Sequence, residues 1–356
     1  MPDWPVRHRP APETAFRDIR SADPKTRLDA IEALAEAPTQ SLERAREALV
    51  AALEDPSPDV RAAAALALAE IGAAPAVGRL IALAGAEDSR VAQAAVIALG
   101  ESGDRRAFDP LLAALRSERA DIRFQAVIAV ARLAPAEAFE HLERAAGDPD
   151  PEVRANALAA LADTAGERAA PVMRSRLDDD EPEVRIEAAL ALAERGDRAA
   201  TPILLEALDD ADAAPQVVRA LGLLRDPAAV PVLTALCGRM LVAAPIRAAA
   251  AAALCALDDP AGARELDRWL GSRRREPRAL AIALCGELRL AAAVDRLVAI
   301  LSEQGHPDRD AAARALGAIG DSRARPALEL AAGDPDSDLA ADARAALELL
   351  RGAGSL

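Results

Sequence analysis

The chain has no tyrosine, four phenylalanines, two tryptophans, three histidines and three cysteines in 356 residues. The near-absence of strand-favouring aromatics argues against an all-β fold or a core built on rings. Three cysteines in 37.0 kDa cannot make a disulfide scaffold, so a reducing compartment is expected. Three histidines leave little material for a metal or acid–base centre. Lys25 is the single lysine; every other basic residue is arginine. No uninterrupted apolar run reaches the roughly 18 residues a membrane span needs. The longest, Ala248 to Leu257, is short and alanine-rich. The start, Met1 to Glu13, carries prolines before Ala11 and no apolar core, so no signal peptide is read there. A cytoplasmic protein is the expectation.

What is present is mostly alanine and leucine, the strongest helix formers, with alanine about a quarter of the chain. Hydrophobic content of 52% excludes a disordered chain. The 43 basic and 58 acidic residues leave a net charge of −15. That balance argues against general binding to nucleic acid or to an anionic membrane.

The chain repeats itself. Val60-Arg61, Ile122-Arg123, Val153-Arg154, Val184-Arg185 and Ile246-Arg247 each open an Ala/Leu-rich stretch, at a constant step of 31 residues with one longer unit before them near Thr26-Arg27. One unit reads clearly. The turn Asp180 to Glu183 precedes a helix predicted over Val184 to Arg195. Gly196-Asp197 stops it, and a second helix is predicted from Ala199 to Leu208. Gly72, Gly103, Gly196 and Gly320 stand where a left-handed φ would close a first helix. Pro110, Pro171, Pro202, Pro231 and Pro326 stand early in second helices, where a missing N–H is harmless. Such a unit cannot bury its apolar face alone, so copies must stack.

The unit, with turn, Val-Arg, Ala/Leu-rich helix, Gly-Asp and then Ala-x-Pro-x-Leu, resembles HEAT repeats, and more narrowly the HEAT-like subclass of phycobilisome bilin lyases. The resemblance covers about residues 24 to 350. It implies an all-α, right-handed α-solenoid, a superhelix of about ten helix pairs with terminal caps, whose second helices line a concave face. The segments are read as an N-terminal extension and cap over 1–23, the solenoid over 24–350 and a tail over 351–356. Trp4, Phe16 and Ile19 are expected to cover the first repeat, and a helix near Leu339 to Leu350 to close the last. Proteins of this kind mostly act as binding scaffolds. Enzymatic relatives fit less well. Deoxyhypusine-hydroxylase-like proteins need His-Glu pairs, and here the histidines precede Arg9, Leu142 and Pro307. HEAT-like DNA glycosylases need a basic, aromatic-bearing groove. A bilin-lyase-like subunit needs a tetrapyrrole pocket, hard to build without tyrosine.

Three constellations carry the expected site. The first is an arginine ladder: Arg27, Arg61, Arg123, Arg154, Arg185, Arg247 and Arg278, faltering at Ala92, Gln216 and Ala340. It is read as structural, with turn carboxylates as partners, for example Asp150 and Glu152 for Arg154. The second is a basic cluster around Trp269: Arg264, Arg268, Arg273, Arg274, Arg275 and Arg278. It is read either as a contact for an acidic partner surface, or as a ring filling an inter-repeat gap beside a solvated loop. The third is the expected concave face, with Arg106, Asp109, Arg116, Glu140, Arg144, Arg174, Glu206, Arg264, Arg268 and Asp295 as exposed candidates. Their mixed signs suit a protein partner. A shift of internal spacing between 213 and 228, with Cys237-Gly238-Arg239-Met240 after it, is read either as neutral drift compensated by the neighbouring repeat or as a curvature change shaping a binding groove. His8, His141 and His306 are isolated, and Cys255 and Cys285 are read as small buried residues. Asp178-Asp179-Asp180 and Asp209-Asp210 read as capping turns. No cofactor, metal, nucleic acid or membrane partner is expected. The favoured reading is a non-catalytic protein-binding scaffold. The alternatives are a bilin-lyase-like or chaperone subunit and a regulatory subunit docking on an enzyme.

Overall fold

The computed structural model describes residues 12–209, 214–239 and 242–353. Trp4, His8, Asp210 and Met240 lie outside the described residues, as does the end of the expected tail from Gly354. The chain divides between Ala191 and Leu192 into two compact units. Among the described residues all regular structure is helical.

The first unit holds α1 (Pro12–Asp18), α2 (Pro24–Ala35), α3 (Leu42–Ala52), α4 (Pro58–Ile71), α5 (Val77–Leu83), α6 (Ser89–Glu101), α7 (Phe108–Ala114), α8 (Ala120–Leu133), α9 (Phe139–Ala145), α10 (Pro151–Thr164) and α11 (Ala170–Ser175). The division falls in α12 (Pro182–Ala193). The second unit holds α13 (Thr201–Glu206), α14 (Ala214–Leu224), α15 (Val230–Gly238), α16 (Ala244–Ala256), α17 (Pro260–Leu270), α18 (Arg275–Glu287), α19 (Val294–Ser302), α20 (Arg309–Ile319), α21 (Arg325–Ala331) and α22 (Ser337–Ala353).

First helices stack on first helices: α2 on α4, α4 on α6, α6 on α8 and α8 on α10. In the second unit α14, α16, α18, α20 and α22 do the same. Within each unit second helices lean on the first helix that follows them, as α7 does on α8 and α19 on α20. This is a solenoid arrangement, and the sequence shows its cause. Leu68, Leu99, Val130, Leu161 and Leu192 recur at the repeat step and are 0% exposed. Leu80, Leu111, Leu142, Met173 and Leu204 do the same from the second helices. No single pair could bury both rows, and stacked copies do.

Local chemistry sets the boundaries. Asp23, Asp88 and Asp150 accept backbone N–H bonds at the starts of α2, α6 and α10. The expected helix over 184–195 is shifted to Pro182–Ala193, because Pro182 fits the first turn and Gly196 terminates. Second helices are shorter than expected. Most begin in a single 3-10 turn, such as Arg198–Ala200 before α13. At the other end, α22 runs to Ala353, into the segment read as a tail.

Gly72, Gly103, Gly196 and Gly320 all take positive φ, as their places implied. In the second unit Arg225, Asp258 and Arg289 occupy the same kind of position at φ 46, 57 and 49. The closing hydrogen bonds persist there, with Asp259 N donating to Leu254 O and Leu290 N to Cys285 O, each at about 3 Å. A side chain in this region costs about 1 kcal/mol, partly offset by the freedom glycine adds to the unfolded chain. Arg289→Gly is therefore expected to stabilise the second unit by about 0.5 kcal/mol. A fall in the urea midpoint would contradict this.

Candidate functional site

Arg154 shows how the ladder works. Its Nη1 donates to the carbonyls of Asp148 and Pro149 at 2.9 and 3.2 Å. Its Nε and Nη2 donate to the Asp179 carboxylate at 3.0 and 2.7 Å. One planar fork thus ties the turn before its own helix to the next turn along. Arg123 repeats the arrangement with Ser117, Glu118 and Asp148. Arg27 reaches Asp55, and Arg61 and Arg185 hold the carbonyls of their own turns. The expected partners of Arg154 were its near neighbours. Asp150 instead caps α10, and the partner lies 25 residues on. Burial works against the charge of Asp148 and Asp179, but the arginine forks and backbone N–H groups outweigh it and hold both carboxyls below the ordinary value.

The ladder also contains a residue that sequence reading missed. Arg309, one repeat step beyond Arg278, bonds Leu301 O and Asp334, each at 2.8 Å. Arg278 itself is paired with buried Asp308 at 2.5 Å. The step of 31 was signal enough to find Arg309. Where the ladder falters at Ala92, Arg119 from the next repeat reaches back to the carbonyls of Ala86 and Glu87. It also pairs with Asp121, which accepts from Ser89 and Gln93. The Arg119 bond is the main cause holding the Asp121 carboxyl far below the ordinary value, against the opposing effect of burial.

Arg247 departs from the pattern, and Trp269 explains how. The place that holds Asp148 and Asp179 in other repeats holds Ser272 here. Arg247 turns to Cys237 O at 3.1 Å, lies over the Trp269 ring at 4.9 Å and approaches Glu265 at 3.9 Å. Trp269 Nε1 donates to the same Glu265 oxygen at 2.8 Å. Trp269 is 4% exposed. Its ring fills the inter-repeat gap, and it offers no surface for a partner.

The arginines around Trp269 are different. Arg264, Arg268, Arg273, Arg274 and Arg275 are exposed. Arg268 pairs with Glu265. Arg278 is buried. On the second helices, Asp109, Glu140, Arg144, Arg174, Glu206 and Asp295 are all exposed, as is Arg116 in the turn after α7. Arg106 is exposed too, and is held by Asp104 in a forked pair. Arg106, Asp109, Arg116, Glu140, Arg144 and Arg174 belong to the first unit, and Glu206, Asp295 and the arginines around Trp269 to the second.

A cleft of about 150 Å³ lies between Leu112, Leu115 and Arg116 on one side and His141, Arg144 and Asp148 on the other. Burial, then Arg144 and Arg116, push His141 below the usual histidine value. A second cleft of about 360 Å³ is lined by Phe16, Ile19, Arg20, Arg44 and Glu47. Phe16 is buried under Arg44, in line with its cap role. Cys237 and Cys285 are buried, which raises their thiols to about 11 and about 12. Those thiols are poor nucleophiles at neutral pH. Among the described residues no group of three or more His, Cys, Asp and Glu side chains is placed to hold a metal ion. Nor is any helix among them long and apolar enough to cross a membrane.

Family comparison gives two matches. A family of HEAT repeats matches residues 15–88, 78–150 and 139–215. The PBS lyase HEAT-like repeat matches 216–238 and 308–334. No curated protein sequence matches. Among solved structures, the Escherichia coli protein YibA aligns at 18% identity and TM-score 0.52, over 69% of this chain and 92% of that one. An engineered protein aligns at 22% identity and TM-score 0.37, over 96% and 98%. Human deoxyhypusine hydroxylase in complex with glycerol aligns at 20% identity and TM-score 0.32, over 88% and 98%. At these identities the likeness to YibA supports the fold alone.

Proposed function

The chain belongs to the HEAT-repeat family, its repeats matching more than half of the sequence, and from that premise we propose that it is a non-catalytic scaffold. Protein partners would dock on the exposed face of its second helices. The observation that carries this reading is the state of that face. Asp109 on α7 and Glu140 on α9 are exposed and form no ion pair. They stand on helices fixed by buried Leu111 and Leu142. Charges already fixed on a rigid frame orient a partner without the ordering cost of a flexible loop. Leu330 on α21, 78% exposed, holds the register place of Arg144, Glu206 and Arg268 and adds an apolar contact. Arg106 and Arg174 add positive charge to the surface of the first unit, and Glu206 and Leu330 are offered by the second.

The test is a pull-down on immobilised full-length protein with wild type and an Asp109→Arg/Glu140→Arg variant. Reversing two docking charges is expected to reduce retention of the partner roughly tenfold, since each tenfold step is 1.4 kcal/mol. Equal retention by both proteins rejects this face. The purified protein is expected to be colourless. A visible absorption band would move the reading to a tetrapyrrole-handling subunit.

A further inference from the structure

We propose that the turn Arg273-Arg274-Arg275, continued by Arg264 and Arg268 on α17, is a docking site for an acidic segment of a partner protein. The proposal rests on the scaffold reading and adds a second contact of defined chemistry.

The argument comes from comparing this turn with its copies. At the place of Ser272 the chain elsewhere has Asp55, Asp148, Asp179 and Asp334. At the place of Arg274 it has Asp88, Asp150, Glu181 and Asp336. Both acidic places have structural work. The first receives ladder arginines, as in the Arg123–Asp148 and Arg309–Asp334 pairs. The second caps the next helix, as Asp88, Asp150 and Asp336 do. In this turn both are given up, as they also are at Ser117/Arg119 and at Leu241/Ala243. Arg247 is left to Trp269 and Glu265, and α18 starts at Arg275 with Arg274 as an N-cap that makes no side-chain bond. The ladder carboxylate and the side-chain cap are absent here; Ser272 Oγ still accepts from Arg274 N at 3.2 Å, as the turn aspartates do, but the Arg274 side chain replaces neither.

Arg119 shows what a structural replacement looks like. It too stands at a cap position, with Ser117 before it, but it bonds Ala86 O, Glu87 O and Asp121. Arg273, Arg274 and Arg275 are exposed, and among the described residues none of their guanidinium groups bonds a protein acceptor. Arg264 is exposed and unpaired as well, four residues before Arg268 on one helix face. The acids close in sequence are already used. Glu265 serves Arg268 and Trp269, and Asp267 serves Arg296, which leaves Glu276 as the exposed carboxylate of the turn. The result is a basic patch on a chain of net charge −15.

Guanidinium forks match carboxylates in pairs, so the occupant that fits is a run of Asp and Glu side chains. The net negative charge of the whole chain repels a long polyanion that overruns the patch, which disfavours nucleic acid.

The experiment measures fluorescence anisotropy of a short, labelled Asp/Glu-rich peptide with the full-length protein at low salt, alongside thermal melting. Ser272→Asp/Arg274→Asp is expected to weaken peptide binding roughly tenfold or more. The same variant is expected to melt about 2–4 °C higher, because a cap and a ladder partner return. Arg273→Ala/Arg275→Ala is expected to lose binding with an unchanged melting temperature. No binding by wild type, unchanged binding by both variants, or a lower melting temperature for the first would overturn the proposal. Tighter binding of a single-stranded DNA of the same length would also overturn it. The Asp109→Arg/Glu140→Arg variant is expected to bind this peptide as wild type does. The second-helix face and the turn therefore fail separately.

Discussion

Replacing Arg154 with alanine is expected to destabilise the first unit by about 3–5 kcal/mol. The side chains of Arg154 and Asp179 are only 12% and 5% exposed, so the carboxylate left behind would be a buried charge held only by Glu181 N and by Arg176 at 3.8 Å. Two turn carbonyls lose their donor at the same time. An exposed pair sets the contrast. Arg90–Asp59, with side chains 64% and 50% exposed, is worth at most about 1 kcal/mol, so Arg90→Ala should barely register. Lysine at 154 is not expected to rescue, because a single ammonium cannot bond both the carboxylate and the carbonyls in the plane that the fork spans. Urea unfolding followed by circular dichroism checks the series. A loss under 1 kcal/mol for Arg154→Ala would show that the ladder is ornamental.

The same pairs predict a pH response. Asp148 and Asp179 have folded pKa values held below the ordinary 3.8, so the unfolded chain binds their protons first. Their contribution is fully present at neutral pH. It is lost as pH falls below 3.8 and through the depressed values. Arg154→Ala should flatten that part of the acid titration, because Asp179 then loses its fork and keeps only Arg176 and the Glu181 N–H.

The repeat made much of this legible in advance. Val-Arg, Gly-Asp and the early proline each name a backbone position, and α4, α8, α10 and α20 fall where those signals put them. The ladder arginines were visible too. Their partners were not, because the bond runs 25 residues ahead to the next turn, and sequence reading looked for carboxylates nearby. Trp269 was misleading for a related reason. In a chain with two tryptophans its rarity suggested a contact, but the missing aspartate at Ser272 was what called for a large ring under Arg247. The left-handed turns at Arg225 and Arg289 carry no residue-type signal, since arginine stands where glycine usually marks the place, and Asp258 carries only a weak one.

Gly262→Ala provides the sharpest test of how a core is built without aromatics. On helix propensity alone, alanine in α17 should stabilise by roughly 0.5–1 kcal/mol. Packing predicts the opposite sign. A methyl group at 262 would stand 2.6 Å from Ala251 O, 2.7 Å from Cys255 N and 2.8 Å from Cys255 Sγ. The two nearest atoms are backbone of α16, which no change of rotamer can move. The helices must separate, and α16 also carries α14 and α18 on its other sides. We expect a loss of about 3 kcal/mol, at the upper end for overpacking, and a larger one for Gly262→Val. Cys255→Ala should not restore stability to Gly262→Ala, because it removes only the third of the three clashes. An increase in stability for Gly262→Ala would mean that these helices are free to slide apart, and that small-residue contact is not what holds the stack together.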